Sequence, residues 1–279
     1  MIVKEERMGI VDFSLDGKVA IVTGGSKGIG RAIALAYAEH GADLVLAARR
    51  PEALERAKQD VAATGRRVLT VQADMSVSAD CDKLYQATIE EFGGVDILVN
   101  NAAGVSLVTL AEETEEEFLR VMRTNVWAPL HLARLCRESM RQRGGGAVIN
   151  ITSNEGVRPS MGIGTYALSK SALINMAQLL GKEWAADKIR VTCIAPGLIR
   201  TDLAKDLVEA VETSGSPINP QKRVGEPNEI AGLALFLASP AGTFATSMTY
   251  VVDGGEVSAG PGDVVVMTAE EAVQAQKQD

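Results

Sequence analysis

The chain has 279 residues, of which 46% are hydrophobic, 23% charged and only 4% aromatic, a composition that excludes disorder as the dominant state and points to an aliphatic core. Lys and Arg number 28 against 36 Asp and Glu, a net charge of −8, which repels phosphate backbones and anionic lipid and argues against nucleic acid or a membrane surface as partner. Three separated cysteines and only two histidines indicate neither a disulfide framework nor a metal site, and with no signal-like or membrane-length apolar run the expected location is the reducing cytoplasm.

Short aliphatic runs recur along the chain at 19–22, 44–46, 68–71, 97–99, 148–151, 191–194 and 249–252. Each is nearly continuous in hydrophobicity, as strands covered on both faces are. Apolar residues at three- and four-residue spacing over 28–40, 51–64, 78–92, 114–142, 163–187 and 227–239 predict the intervening helices. The acidic stretch Glu112 to Glu117 fits a solvated first turn, where negative charge meets the positive end of a helix dipole. Residues 203–226 break the rhythm with Ser214-Gly215-Ser216-Pro217 and Pro220, predicting a short helix followed by a mobile loop. The alternation predicts an α/β fold: a doubly wound, mostly parallel seven-stranded sheet with helices on both faces.

After the first strand, Thr23-Gly24-Gly25-Ser26-Lys27-Gly28-Ile29-Gly30 opens a helix. Glycines there let backbone N–H groups approach a pyrophosphate, and the helix N-terminus adds positive potential. A glycine-rich turn alone equally fits an ordinary strand-to-helix connection; its place after strand one favours a Rossmann-like dinucleotide site. The second strand ends Ala47-Ala48-Arg49-Arg50, where selection of a free ribose 2′-hydroxyl calls for an acid. Lys27, Arg49 and Arg50 instead suit a 2′-phosphate, although three solvated surface cations would read the same way.

Tyr166 and Lys170 lie four apart near the start of the helix at 163–187, and so share a face. A phenol titrates near ~10, so acid/base work near neutrality requires a lowered pKa, which a neighbouring ammonium favours. Ser153 ends the fifth strand at its carboxyl edge, where ligands bind in open parallel sheets. Each feature alone also has an ordinary structural explanation: a solvated helix face, or a serine that ends a strand.

Together the residues carry a resemblance. Thr23-Gly24-x-x-x-Gly28-x-Gly30, Asn100-Asn101-Ala102, Asn125, Ser153, Tyr166-x-x-x-Lys170, Pro196-Gly197-x-x-x-Thr201 and Asp253-Gly254-Gly255 resemble the single-domain short-chain dehydrogenases/reductases, including 3-oxoacyl-carrier-protein-reductase-like members. The likeness spans 14–255, leaving 1–13 and 256–279 as terminal extensions. It implies an oxidoreductase using NADP(H) on a ketone or secondary alcohol. Tyr166 would be the acid/base and Ser153 would orient the substrate oxygen. Lys170 would lower the Tyr166 pKa and hold the nicotinamide ribose, and Asn125 would position a water of the proton relay. Gly24, Ser26, Lys27, Gly28, Ile29, Gly30, Arg49 and Arg50 would contact the cofactor, with Asp74 and Met75 at the adenine and Asn101 and Ala102 at the adenosine ribose. Pro196, Gly197, Ile199 and Thr201 would hold the carboxamide and phosphates. The likeness further implies a homotetramer packed through helices 114–142 and 163–187.

Two departures stand out: Ala103 occupies the position of the usual glycine after Asn-Asn-Ala, and 24 residues follow Gly255. In that tail Thr268 to Glu271 fits a capping box, and residues 264–267 are expected to pack on the body or a neighbouring subunit. Val105, Asn154, Met161, Ile163, Leu198, Leu203 and Leu207 predict a mainly apolar small-molecule substrate, with acyl-thioesters, steroids and small ketones all open. Arg134, Arg137, Arg141 and Arg143 read as a solvated helix surface in preference to a docking patch. The competing readings are a cofactor-binding sensor or scaffold without turnover, disfavoured by the full Asn/Ser/Tyr/Lys set, and a dehydratase or epimerase, disfavoured by the glycine spacing.

Overall fold

A computed structural model describes residues 11–214 and 218–258. Strands β1 (Val19–Thr23), β2 (Asp43–Ala48), β3 (Val68–Gln72), β4 (Ile97–Asn100), β5 (Gly146–Ile151), β6 (Ile189–Pro196) and β7 (Thr249–Val252) form one sheet in the order β3-β2-β1-β4-β5-β6-β7. Every neighbouring pair is parallel. Strand order reverses between β1 and β4, so the loops leaving those strands diverge and open a crevice at their carboxyl ends. The expected doubly wound sheet is present, and all strands but β7 extend past their aliphatic runs. Several of the added end residues, Thr23, Asn100 and Pro196, lie on the crevice side of the sheet.

Helices α1 (Gly28–Glu39), α2 (Pro51–Ala62), α3 (Ser78–Phe92), α4 (Glu115–Met122), α5 (Ala128–Gln142), α6 (Gly164–Glu183), α7 (Lys205–Ser214) and α8 (Pro227–Ala238) flank the sheet. Alternate strand residues face opposite layers. Ala20, Val22, Leu44, Leu46, Val99 and Ile149 pack with Ile33 and Tyr37 of α1 and Ile230 and Ala234 of α8. Ile21, Val45, Leu98, Val148 and Val191 pack with Leu84 of α3, Leu132 and Cys136 of α5 and Ala177 of α6. Two apolar layers around one sheet are why the strands lack a polar face.

The stretch 114–142 is not one uninterrupted α-helix. Thr114 caps α4, its Oγ1 accepting from Glu117 N–H at 3.2 Å, but Arg123–Trp127 then widens into a π turn in which Ala128 N–H bonds the Arg123 carbonyl. Thr124 Oγ1 donates to the Arg120 carbonyl at 2.9 Å, competing for an acceptor of the regular ladder. Further on, a short 3-10 turn (Asp202–Ala204) leads into α7 as the expected short helix. The loop beyond is tied by Asn219 Nδ2 to the Arg223 carbonyl at 2.8 Å and by Arg223 to Glu229 at 2.6 Å.

Among the described residues no helix is long and apolar enough to cross a membrane, and no cluster of three or more His, Cys, Asp or Glu could hold a metal. The capping box at 268–271 and the packing expected for 264–267 lie outside the described residues.

Candidate active site

Thr23, the last residue of β1, joins the two loops that border the crevice. Its Oγ1 accepts from the N–H groups of Asn101 and Ala102 at 3.0 and 3.1 Å and donates to the Val99 carbonyl at 3.3 Å. Asn101 Nδ2 returns bonds to the carbonyls of Thr23 and Gly24 at 2.9 and 3.2 Å. This leaves no space for a side chain at two positions of the turn: a Cβ on Gly24 would lie 2.7 Å from Asn101 Nδ2, and one on Gly30 would collide with Asn101 and the Gly24 carbonyl. Gly28 has φ +55°, which disfavours any other residue, and a Cβ there would come within 3.1 Å of Thr201. Lys27, at the N-cap of α1, makes no side-chain cap. A helix N-terminus with uncapped amides, lined by glycine and faced by Thr201, fits a dinucleotide pyrophosphate.

Arg49 and Arg50 are exposed where β2 meets α2. Two of the three expected phosphate-binding cations have acidic neighbours. Arg49 Nη1 stands 4.0 Å from Asp74 Oδ2, and Lys27 Nζ is 3.1 Å from Asp202. Burial opposes the charge on Asp74, but bonds from Ser76 N–H and Oγ, both 2.8 Å, with Arg49 and Arg120 nearby, hold its carboxyl below the ordinary value. Met75 is buried beside it. Across the crevice Pro196 ends β6, Gly197 N–H bonds the Val252 carbonyl at 3.0 Å, and buried Ile199 forms a parallel bridge with Gly225.

Ser153 follows β5. Its hydroxyl donates to Asn154 Oδ1 at 3.2 Å and accepts from Glu155 N–H at 3.2 Å. Tyr166 stands in the first turn of α6 with the Ser153 hydroxyl beside its phenol. Lys170, one turn on, is 2% exposed; its Nζ donates to the Ile151 carbonyl at 2.9 Å and lies 5.5 Å from the Tyr166 ring centre. The structure therefore brings Ser153, Tyr166 and Lys170 together.

The expected lowering of the Tyr166 pKa is absent. Burial pushes the phenol up and the Glu155 carboxylate adds to this, while the Ser153 bond only partly opposes it. Lys170, whose own pKa burial lowers to about 8, is not among the groups that set this shift. The result is a phenol that keeps its proton at neutral pH.

Asn125, in the π turn, is 1% exposed. Its Oδ1 accepts from Gly104 N–H at 2.7 Å, and its Nδ2 donates to the Gly104 carbonyl at 2.8 Å and to Ser169 Oγ at 2.9 Å. Both amide hydrogens are thus used within the protein, leaving an Oδ1 lone pair as its remaining capacity.

This arrangement has relatives. Residues 18–212 match the family model described as short chain dehydrogenase. The chain belongs to the short-chain dehydrogenase family. It is 38% identical over 242 residues to the 3-oxoacyl-(acyl-carrier-protein) reductase of Chlamydia muridarum, covering 86% of this chain and 98% of that protein. L-sorbose reductase from Gluconobacter frateurii, solved with NADPH and L-sorbose, superposes with a TM-score of 0.82 at 37% identity, over 89% of this chain and 99% of the other. A 7α-hydroxysteroid dehydrogenase solved with NADH and 7-oxo glycochenodeoxycholic acid gives 0.85 at 32% identity, over 89% and 98%.

For this dehydrogenase, sequence reasoning missed the polar surroundings of Ser153. Glu155 closes the following loop by accepting from Ser160 N–H and Oγ at 2.7 and 2.9 Å. Glu256, the first residue beyond 14–255, packs so that its carboxyl would stand 3.3 Å from a Cβ on Gly197, and burial with the Asp253 and Glu155 carboxylates nearby raises its pKa to about 7. The Asp253-Gly254-Gly255 turn was the available signal, since it redirects the chain toward the β6 loop. Met161 is 99% exposed, and Leu203 and Leu207 also lie open to solvent. Of the four surface arginines, Arg137, Arg141 and Arg143 are tied to Asp187, Glu138 and Asp96, in keeping with a structural surface.

Proposed function

We propose that this short-chain dehydrogenase interconverts a ketone and a secondary alcohol with NADP(H), using Tyr166 as the acid/base. The observation that carries the reading is the convergence of Ser153, Tyr166 and buried Lys170 at the carboxyl edge of β5, beside the glycine-lined N-terminus of α1. Gly24, Ser26, Lys27, Gly28, Ile29, Gly30, Asp74, Met75, Asn101, Ala102, Pro196, Gly197, Ile199 and Thr201 would line the cofactor, and Arg49 and Arg50 would meet the 2′-phosphate. NADP(H), when bound, supplies or accepts the hydride.

In the reduction, Tyr166 gives its phenolic proton to the substrate oxygen, and its raised pKa keeps that proton in place beforehand. Ser153 donates a hydrogen bond to the same oxygen and fixes its direction. The Lys170 ammonium favours the phenolate left behind and holds the ribose hydroxyls. Asn125 secures the segment around Gly104, which follows the adenosine-contacting Asn101 and Ala102. The relatives named L-sorbose reductase, solved with NADPH and L-sorbose, and 3-oxoacyl-(acyl-carrier-protein) reductase support a carbonyl substrate, and the one solved with NADH makes the cofactor the first point to measure.

NADPH and NADH titrations at equal salt test the reading. Charge-assisted bonds are worth roughly 1.5–3 kcal/mol, so one made by Arg49 or Arg50 favours NADPH by about tenfold or more. Arg49→Ala combined with Arg50→Ala should remove most of that preference; tighter NADH binding by the unaltered chain overturns it.

A further inference from the structure

Lys27 and Asp202 meet across the crevice. Lys27 is the N-cap residue of α1, and Asp202 opens the 3-10 turn that leads from β6 into α7. Lys27 Nζ donates to Asp202 Oδ2 at 3.1 Å, a contact between positions 175 apart in the chain.

This ion pair holds a segment that is rooted elsewhere. Ile199 forms its bridge with Gly225, Gly225 N–H bonds the Leu198 carbonyl at 3.0 Å, and Arg200 N–H bonds the Gly225 carbonyl at 2.9 Å. The Arg200 guanidinium reaches Glu226, the N-cap residue of α8, at 2.9 Å and Glu212 of α7 at 2.6 Å. Thr201 then seats against Gly28, where a Cβ would come within 3.1 Å of its methyl. Past this point the chain is loosely packed. Of the ten residues of α7 only Val208 is buried, and Leu203 and Leu207 face solvent.

We propose that Asp202 is a specificity-determining residue for the cofactor: in the cofactor-free chain it engages the Lys27 ammonium and ties the segment leading into α7 across the N-terminus of α1, and it competes there with the 2′-phosphate. The proposal rests on the dinucleotide reading of the crevice given above.

A lysine ammonium is one compact charge, so a second anion gains from it in proportion to how far the first is displaced. A carboxylate carries a single negative charge and a phosphate monoester nearly two at neutral pH, which favours the phosphate. The pair is also displaceable, because the Lys27 side chain is 47% and that of Asp202 73% exposed. Apparent affinity for the phosphorylated cofactor is therefore reduced by the fraction of chains in which Asp202 holds Lys27. A cofactor without the 2′-phosphate makes no claim on Lys27 and is indifferent to Asp202.

The experiment measures NADPH and NADH dissociation constants at low ionic strength, where exposed charge pairs are least screened, for the unaltered chain, Asp202→Asn, Lys27→Met and the double variant. Asp202→Asn should bind NADPH about two- to fivefold more tightly, the range of an exposed ion pair, with NADH affinity unchanged. In the Lys27→Met background the same substitution should give no gain, which separates competition for Lys27 from the mere removal of a negative charge. Asp206→Asn, in the first turn of α7, should alter neither affinity. Amide hydrogen exchange of α7 in the cofactor-free chain supplies a second readout: Asp202→Asn and Lys27→Met should each speed it to the same extent, and the double variant no further.

Unchanged or weaker NADPH binding by Asp202→Asn, a gain that survives in Lys27→Met, or α7 exchange that neither substitution alters overturns the proposal. Equal tightening of NADPH and NADH places the competition at the pyrophosphate and overturns the role in specificity. Failure of all four chains to bind either nucleotide refutes the dinucleotide reading itself, whereas an unaltered chain that prefers NADPH and is insensitive to Asp202→Asn refutes the role of Asp202 alone.

Discussion

Asn125 holds Gly104 by both polar groups of its backbone, accepting from the N–H at 2.7 Å and donating to the carbonyl at 2.8 Å. The π turn at Arg123–Trp127 carries Asn125 into this position, and Arg120 Nη2 secures the next residue through the Val105 carbonyl at 3.0 Å. Gly104 is buried, so removing Asn125 orphans two backbone groups that water cannot reach. Asn125→Ala should therefore destabilise the fold by roughly 2–5 kcal/mol, measured by denaturant unfolding. A loss within the range of an ordinary surface substitution would contradict the role of the pair.

Much of the fold was legible because its causes are local. Aliphatic runs such as Val19 to Val22 mark doubly covered strands, and the spacing of Gly24, Gly28 and Gly30 follows from collisions with Asn101 and Thr201 that only glycine avoids. Tyr166 and Lys170 meet because four residues make about one helical turn. The rest depends on contacts distant in sequence. No periodicity marks a π turn whose reason is Gly104, twenty-one positions away from Asn125. No motif near Arg49 signals its proximity to Asp74, and Glu256 comes beside Gly197 only because the turn after β7 folds against the β6 loop. The direction of the Tyr166 shift also escaped sequence reasoning, since spacing reveals the neighbouring ammonium but not how strongly burial opposes both charges.

Burial of Lys170 gives a stability signature. Its pKa falls from 10.5 when exposed to about 8 in the folded chain, so between these values the unfolded state binds more protons and stability rises with pH. Below pH 8 the buried charge carries a cost of about 3 kcal/mol, which disappears as pH rises past 10.5. Lys170→Met lacks this titration. The stability of the unaltered chain relative to Lys170→Met should increase between these pH values in chemical denaturation, and a constant difference would show that Lys170 is not a strained buried cation.

The homotetramer proposed from the family likeness has a physical basis in exposed apolar side chains. Leu119 and Trp127 lie open along α4 and the π turn, Leu168 and Leu179 along α6, and Phe244, Met248 and Val251 near β7. Isolated exposed residues are ordinary, but groups on long helices favour self-association. Light scattering should give the mass of four chains, and Leu179→Glu should reduce it; a monomeric mass at micromolar concentration would contradict the assembly.

Tyr166 is proposed to transfer the substrate proton. The most direct measurement is the single-turnover rate of NADPH oxidation on a carbonyl substrate, compared between the unaltered chain and Tyr166→Phe, with NADPH binding determined separately. General acid catalysis is worth about 10²–10⁴-fold, so Tyr166→Phe should lose that much rate with little change in NADPH affinity. A Tyr166→Phe enzyme that reduces the same carbonyl at near the unaltered rate would contradict that role of Tyr166.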